Sequence, residues 1–115
     1  MATPTIDRAT FEALKETTGA EFVTELIDTF LQEAPGMLED LRCSLAVQDA
    51  EKFRRAAHSL KSNSNTFGAL ALGAMARDLE LTGVAKVIER GGQPLDAVAH
   101  EYARVAAALT GLRDA

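Results

Sequence analysis

The chain has 115 residues, of which 47% are hydrophobic and 5% aromatic, with no tryptophan and a formal charge of −5. That length suits one domain, spanning 1–115, with a core of alanine, leucine and valine that needs neither metal nor disulfide. The acidic balance argues against general nucleic-acid binding. A single cysteine, Cys43, excludes an internal disulfide and a Cys-x-x-Cys site, and is expected to be buried beside a helix seam. No apolar run approaches the roughly 18 residues of a membrane span and no signal segment opens the chain, so no membrane association and a cytoplasmic location are expected.

Residues 1–5, with Pro4, read as a flexible leader. Asp7 is placed to cap a first helix over about 7–17, which carries Phe11 and Leu14 inward and stops near Gly19. Ile6 and this helix form either a lid over one end of the domain or an apolar patch facing a partner. From Ala20 to about Val47, Phe22, Val23, Leu26, Ile27, Phe30, Ala34, Met37, Leu38, Leu41 and Leu45 mark a long amphipathic helix. Pro35 predicts a kink near Gln32–Pro35 with the helix continuing to Leu45, or else two helices joined there.

Asp49 caps the next helix, which runs to about Phe67 and yields at Gly68. At about 100° per residue, Phe53, Ala56, Ala57, Leu60, Ser64 and Phe67 fall on one stripe and His58 points nearly the opposite way. Arg54, Lys61, Ser62 and Asn65 lie within about 60° of the histidine, and Arg55 borders it. Residues 69–89 carry Leu72, Met75, Ala76, Leu79, Gly83 and Val87 on a further seam, read as one helix that Gly83 weakens locally. Met37 and Met75 read as core filling. Pro94 opens the last helix, where Leu95, Val98, Tyr102, Val105, Leu109 and Leu112 follow steps of three and four. No strand pattern is present. Short connections between four long amphipathic stretches favour an antiparallel up-and-down four-helix bundle, all-α, with the short first helix as an accessory.

The chemistry concentrates on the outward face of the third helix. A solvent-facing imidazole near neutral pH presents a nitrogen lone pair that can attack phosphorus. Nothing in the chain activates ATP: there is no phosphate-binding Gly-x-x-x-x-Gly-Lys loop and no glycine-rich kinase loop. On spacing alone, an exposed histidine among cations is more often a plain solvated side chain. His100 lies outside the seam of the last helix with no motif around it. His100-Glu101 opens like a zinc-protease sequence, but Arg104 stands where the second histidine is required.

The run Ala57-His58-Ser59-Leu60-Lys61-Ser62, followed by Gly68-Ala69 and Leu79-Glu80, resembles the histidine-containing phosphotransfer (HPt) domain family. That family's signature is Ala-His, one variable residue, Leu-Lys-Gly and a later Gly-Ala. Ser62 departs from the glycine but stays small. Histidine-kinase dimerisation helices, which also expose a histidine, continue with an acidic residue, an arginine and a nearby proline, none of which follows His58 here. The resemblance implies a free-standing phosphorelay carrier. A receiver-domain phospho-aspartate donates to His58, on Nε2, and the phosphoryl group passes on to another receiver. Lys61 would offset charge on the phosphoryl oxygens, while Arg54, Arg55, Ser62 and Asn65 would form the receiver-docking or phosphate environment. No intrinsic cofactor is implied; Mg2+ belongs to the partner receiver. Response-regulator receivers and a hybrid histidine kinase are the implied partners, and the chain is expected to be a monomer. The competing readings are an HPt-like adaptor that binds a receiver without accepting phosphate, and a helical oligomerisation module.

Overall fold

The computed structural model describes residues 5–114, so all of the leader but Thr5 lies outside the described residues. Six helices and no strand are present among them: α1 (Arg8–Thr18), α2 (Ala20–Val47), α3 (Ala50–Thr66), α4 (Leu70–Thr82), α5 (Val84–Glu89) and α6 (Gln93–Asp114). The caps read from the sequence are made. Asp7 accepts from the Thr10 amide and Asp49 from the Lys52 amide, each satisfying a donor that the first turn of a helix leaves open. Ile6, just before α1, is 5% exposed and joins Phe11 in the core, so Ile6 itself packs inward and forms no exposed apolar patch.

Of the two readings of Pro35, the single helix holds: α2 is continuous from Ala20 to Val47. Phe30 and Ala34 before the proline and Leu41 after it are all buried in the same core. Their burial outweighs the roughly 3 kcal/mol that an interior proline costs. The span expected as one helix over 69–89 is instead two. Gly83 takes φ 83°, a backbone region open to glycine, and ends α4 so that α5 can set off on a new course. Cys43 is exposed rather than buried. The inward position on that turn belongs to Ser44, which is fully buried and donates to the Asp40 carbonyl at 2.6 Å, while Cys43 points out towards Glu39.

The buried residues of all six helices form one cluster, built from Ile27, Leu41, Phe53, Leu60, Leu72, Leu79, Val105 and Leu109 among others. α2 packs on α3, α3 on α4, α4 on α6 and α6 back on α2, so the pairings close a ring. Phe30 lies against Phe67, and Asp40 lies near Lys52, so residues pair in opposite order along α2 and α3. The α3–α4 pairing is the most extensive. It is closed at one end by Gly68, whose φ of 84° ends α3 and whose carbonyl accepts from the Asp7 amide at 2.7 Å. A side chain at Gly68 would strike the Asp7 carbonyl, so this glycine also seats α1.

Candidate functional site

The stripe Phe53, Ala56, Ala57, Leu60, Ser64 and Phe67 is buried throughout, which fixes the rotation of α3 and leaves His58 outward with 56% of its side chain exposed. The imidazole is nevertheless held. Its Nδ1 lies 2.8 Å from Oε2 of Glu80 on α4, and the other oxygen of the same carboxylate, Oε1, accepts from Lys61 Nζ at 2.9 Å. An ionised carboxylate can only accept, so the hydrogen of the neutral ring resides on Nδ1 and the Nε2 lone pair is left free.

Glu80 is the residue that sequence reasoning underused. It appeared only as part of the Leu79-Glu80 match, and nothing in the local pattern joined it to a histidine 22 positions earlier. Its side chain is 13% exposed, and that of Lys61 is 24% exposed, so this ion pair is more sheltered than the other pairs on the helix face. The hydrogen bond from Lys61 holds the Glu80 carboxyl below its ordinary pKa, helped by His58 and opposed by partial burial.

The other expected residues are placed differently from one another. Arg54 Nη2 is bonded to Oε1 of Glu51 at 2.6 Å, and Arg55 Nε stands 4.0 Å from the same oxygen, so both guanidinium groups are partly answered on their own helix. Arg54 in turn keeps Glu51 ionised below its usual range. Ser62 is exposed one turn beyond His58, and its carbonyl accepts the Thr66 hydroxyl. Asn65 is two turns from His58, about 10 Å along the axis. Its carboxamide lies against α4 at Gly73, where an added Cβ would overlap it, and the imidazole contact goes to Glu80 instead. His58, Lys61 and Glu80 therefore make one hydrogen-bonded unit, with Ser62 beside it, whereas Asn65 belongs to the α3–α4 contact. His100 is exposed on α6. Among the described residues no group of three or more His, Cys, Asp or Glu side chains is arranged to hold a metal ion.

The Hpt domain model matches residues 25–115. The chain belongs to the Hpt domain family. Its chemistry is therefore histidine phosphotransfer within two-component phosphorelays, and response-regulator receiver domains are the class of partner. The chain is also similar to the crystal structure of histidine-containing phosphotransfer protein B (HptB) from Pseudomonas aeruginosa PAO1. The TM-score is 0.88 at 26% identity, covering 98% of this chain and 97% of that one. No curated protein matches the sequence. The Hpt match begins within α2, so α1 lies outside it, while the likeness to HptB extends over nearly the whole chain. No helix among the described residues is long and apolar enough to cross a membrane.

Proposed function

We propose that this Hpt domain takes a phosphoryl group from a receiver phospho-aspartate onto Nε2 of His58 and returns it to the aspartate of a second receiver. In the attack the Nε2 lone pair forms the N–P bond as the bond from phosphorus to the aspartyl oxygen breaks, and the electrons of that bond leave with the receiver's carboxylate. Nδ1 keeps its proton, so the ring becomes cationic and the Glu80 carboxylate balances it. Lys61 is anchored within a turn of His58. Its ammonium can offset charge on the phosphoryl oxygens, a reaction that depends chiefly on positioning and electrostatics. Ser62 keeps the approach beside the imidazole open. The magnesium ion that this chemistry uses is carried by the receiver.

The observation that supports this reading is the 2.8 Å contact between His58 Nδ1 and Glu80, which leaves the reactive nitrogen pointing outward. We read the ring of α2, α3, α4 and α6 as an antiparallel up-and-down bundle in a single domain, monomeric, with α1 as its accessory lid. A hybrid histidine kinase fits as the upstream source of phosphate. Incubation with a phosphorylated receiver is expected to give an acid-labile, base-stable label that His58→Gln abolishes and His100→Gln retains. Equal labelling of wild type and His58→Gln would overturn the assignment. Tight receiver binding without label would establish the adaptor instead.

A further inference from the structure

The orientation of the His58 ring separates the cations around it into two groups. At about 100° per residue, Arg54 lies about 40° and Lys61 about 60° to one side of His58, while Ser62 lies about 40° and Arg55 about 60° to the other. The hydrogen bond from Lys61 to Glu80 identifies the first side as that of α4. The second faces α2, because Arg55 and Ser59 line a groove there with Met37 and Asp40. Nδ1 is turned towards α4 by its 2.8 Å contact with Glu80. The two nitrogens lie on opposite flanks of the imidazole, so Nε2 faces outward and away from α4, towards the Arg55 side. Side chains on a helix lean towards its N-terminus, so the ring overlies the turn that bears Arg54 and Arg55.

We propose that Arg55 binds the phosphoryl oxygens turned away from α4, exchanging Glu51 for the phosphoryl group when His58 is phosphorylated. The inference rests on the phosphotransfer reading above and assigns a charge partner to the far side of the group that Nε2 carries. The other cations near the ring are engaged. Lys61 is bonded to Glu80 at 2.9 Å and Arg54 to Glu51 at 2.6 Å. Lys52 stands 4.0 Å from Asp40 and about 9 Å along the axis from His58. Arg55 is held more loosely than Arg54 or Lys61: its Nε is 4.0 Å from a Glu51 oxygen that already accepts from Arg54, and its side chain is 69% exposed. An exposed pair at that distance holds little, and Glu51 keeps Arg54 when Arg55 leaves. Residues three apart are neighbours on a helix, and the arginine side chain is long enough to reach over the ring. Its guanidinium fork presents parallel N–H donors to two phosphoryl oxygens. Lys61 then serves the α4 side of the phosphoryl group and Arg55 the α2 side.

The test is phosphorus NMR of protein phosphorylated with potassium phosphoramidate, a donor that needs no receiver. Nε2 forms the N–P bond as the bond from phosphorus to the amido nitrogen breaks, and ammonia leaves. The resonance absent from His58→Gln belongs to the site, and circular dichroism verifies each fold. A contacting cation favours the phosphoryl dianion, so the midpoint of its last ionisation is expected to rise by about 0.5–1 pH unit in Arg55→Ala. Arg55→Lys, which keeps the charge and loses the fork, should fall between the two. Lys52→Ala removes a cation from the same groove and should leave the midpoint within about 0.2 unit of wild type. An Arg55→Ala midpoint equal to that of wild type overturns the proposal. An equal displacement in Lys52→Ala also overturns it, by assigning the effect to the general field of the groove. A wild type with no His58-dependent resonance would refute the phosphotransfer reading itself, a result distinct from a phosphorylated His58 whose ionisation ignores Arg55.

Discussion

Glu80→Gln isolates the role of the carboxylate, because it keeps the shape of the side chain and removes one acceptor and the charge. In the native site the two oxygens serve two donors, Oε2 the His58 Nδ1–H at 2.8 Å and Oε1 the Lys61 ammonium at 2.9 Å. A glutamine has one oxygen and one NH2 group. The ammonium can only donate, so it claims the oxygen, and the NH2 group is left facing Nδ1. An NH2 donor there favours an unprotonated Nδ1, which moves the ring hydrogen to Nε2 and occupies the nucleophile. The loss is that of one hydrogen bond to a charged group whose imidazole partner is 56% exposed, so it falls at the low end of the usual range, about 1.5 kcal/mol. The single-turnover rate should therefore fall about tenfold at saturating receiver. Long-range nitrogen–proton NMR correlations of the imidazole should show the hydrogen on Nδ1 in wild type and on Nε2 in the variant. A Glu80→Gln protein with the wild-type tautomer and the wild-type rate would refute the argument. The same substitution predicts a pH effect on stability. The folded state lowers the Glu80 pKa, so its contribution is complete above the ordinary glutamate value of about 4.3 and is lost as pH falls through the lower folded value. The difference in thermal stability between wild type and Glu80→Gln should shrink from pH 7 towards pH 3.

Gly68→Ala should cost about 2–3 kcal/mol in denaturant unfolding, because φ 84° penalises a Cβ and the Cβ would strike the Asp7 carbonyl, displacing α1. A midpoint equal to wild type would show that α1 is not seated there. Ser64→Ala should stabilise by about 1 kcal/mol or more, since its hydroxyl is fully buried with no hydrogen-bond partner among the described residues. Ser44→Ala, which removes a bonded hydroxyl, should not, and chemical denaturation compares the two directly. Ser62→Phe should fold by circular dichroism yet transfer poorly, whereas Ser62→Gly should retain transfer; a fully active phenylalanine variant would place Ser62 outside the reactive approach.

Local features were legible because they depend on neighbours in the chain. The buried stripe from Phe53 to Phe67 sets which way His58 points, and short-range hydrogen bonds make Asp7 and Asp49 caps. The same one-dimensional reasoning allowed a break or a kink at Pro35 and a continuous helix through Gly83. Burial on both sides of the proline preserved α2, because packing against the other helices outweighs local propensity, whereas at Gly83 the glycine's own backbone freedom ended α4. Cys43 was misplaced for a related reason: a small serine one position on, its hydroxyl satisfied by the backbone, can occupy a seam as readily as a thiol. What only the tertiary structure decided is the state of the nucleophile. Sequence periodicity exposes the imidazole but does not say which nitrogen is free, since that depends on a carboxylate 22 residues away, brought within 2.8 Å by the closing of α4 on α3.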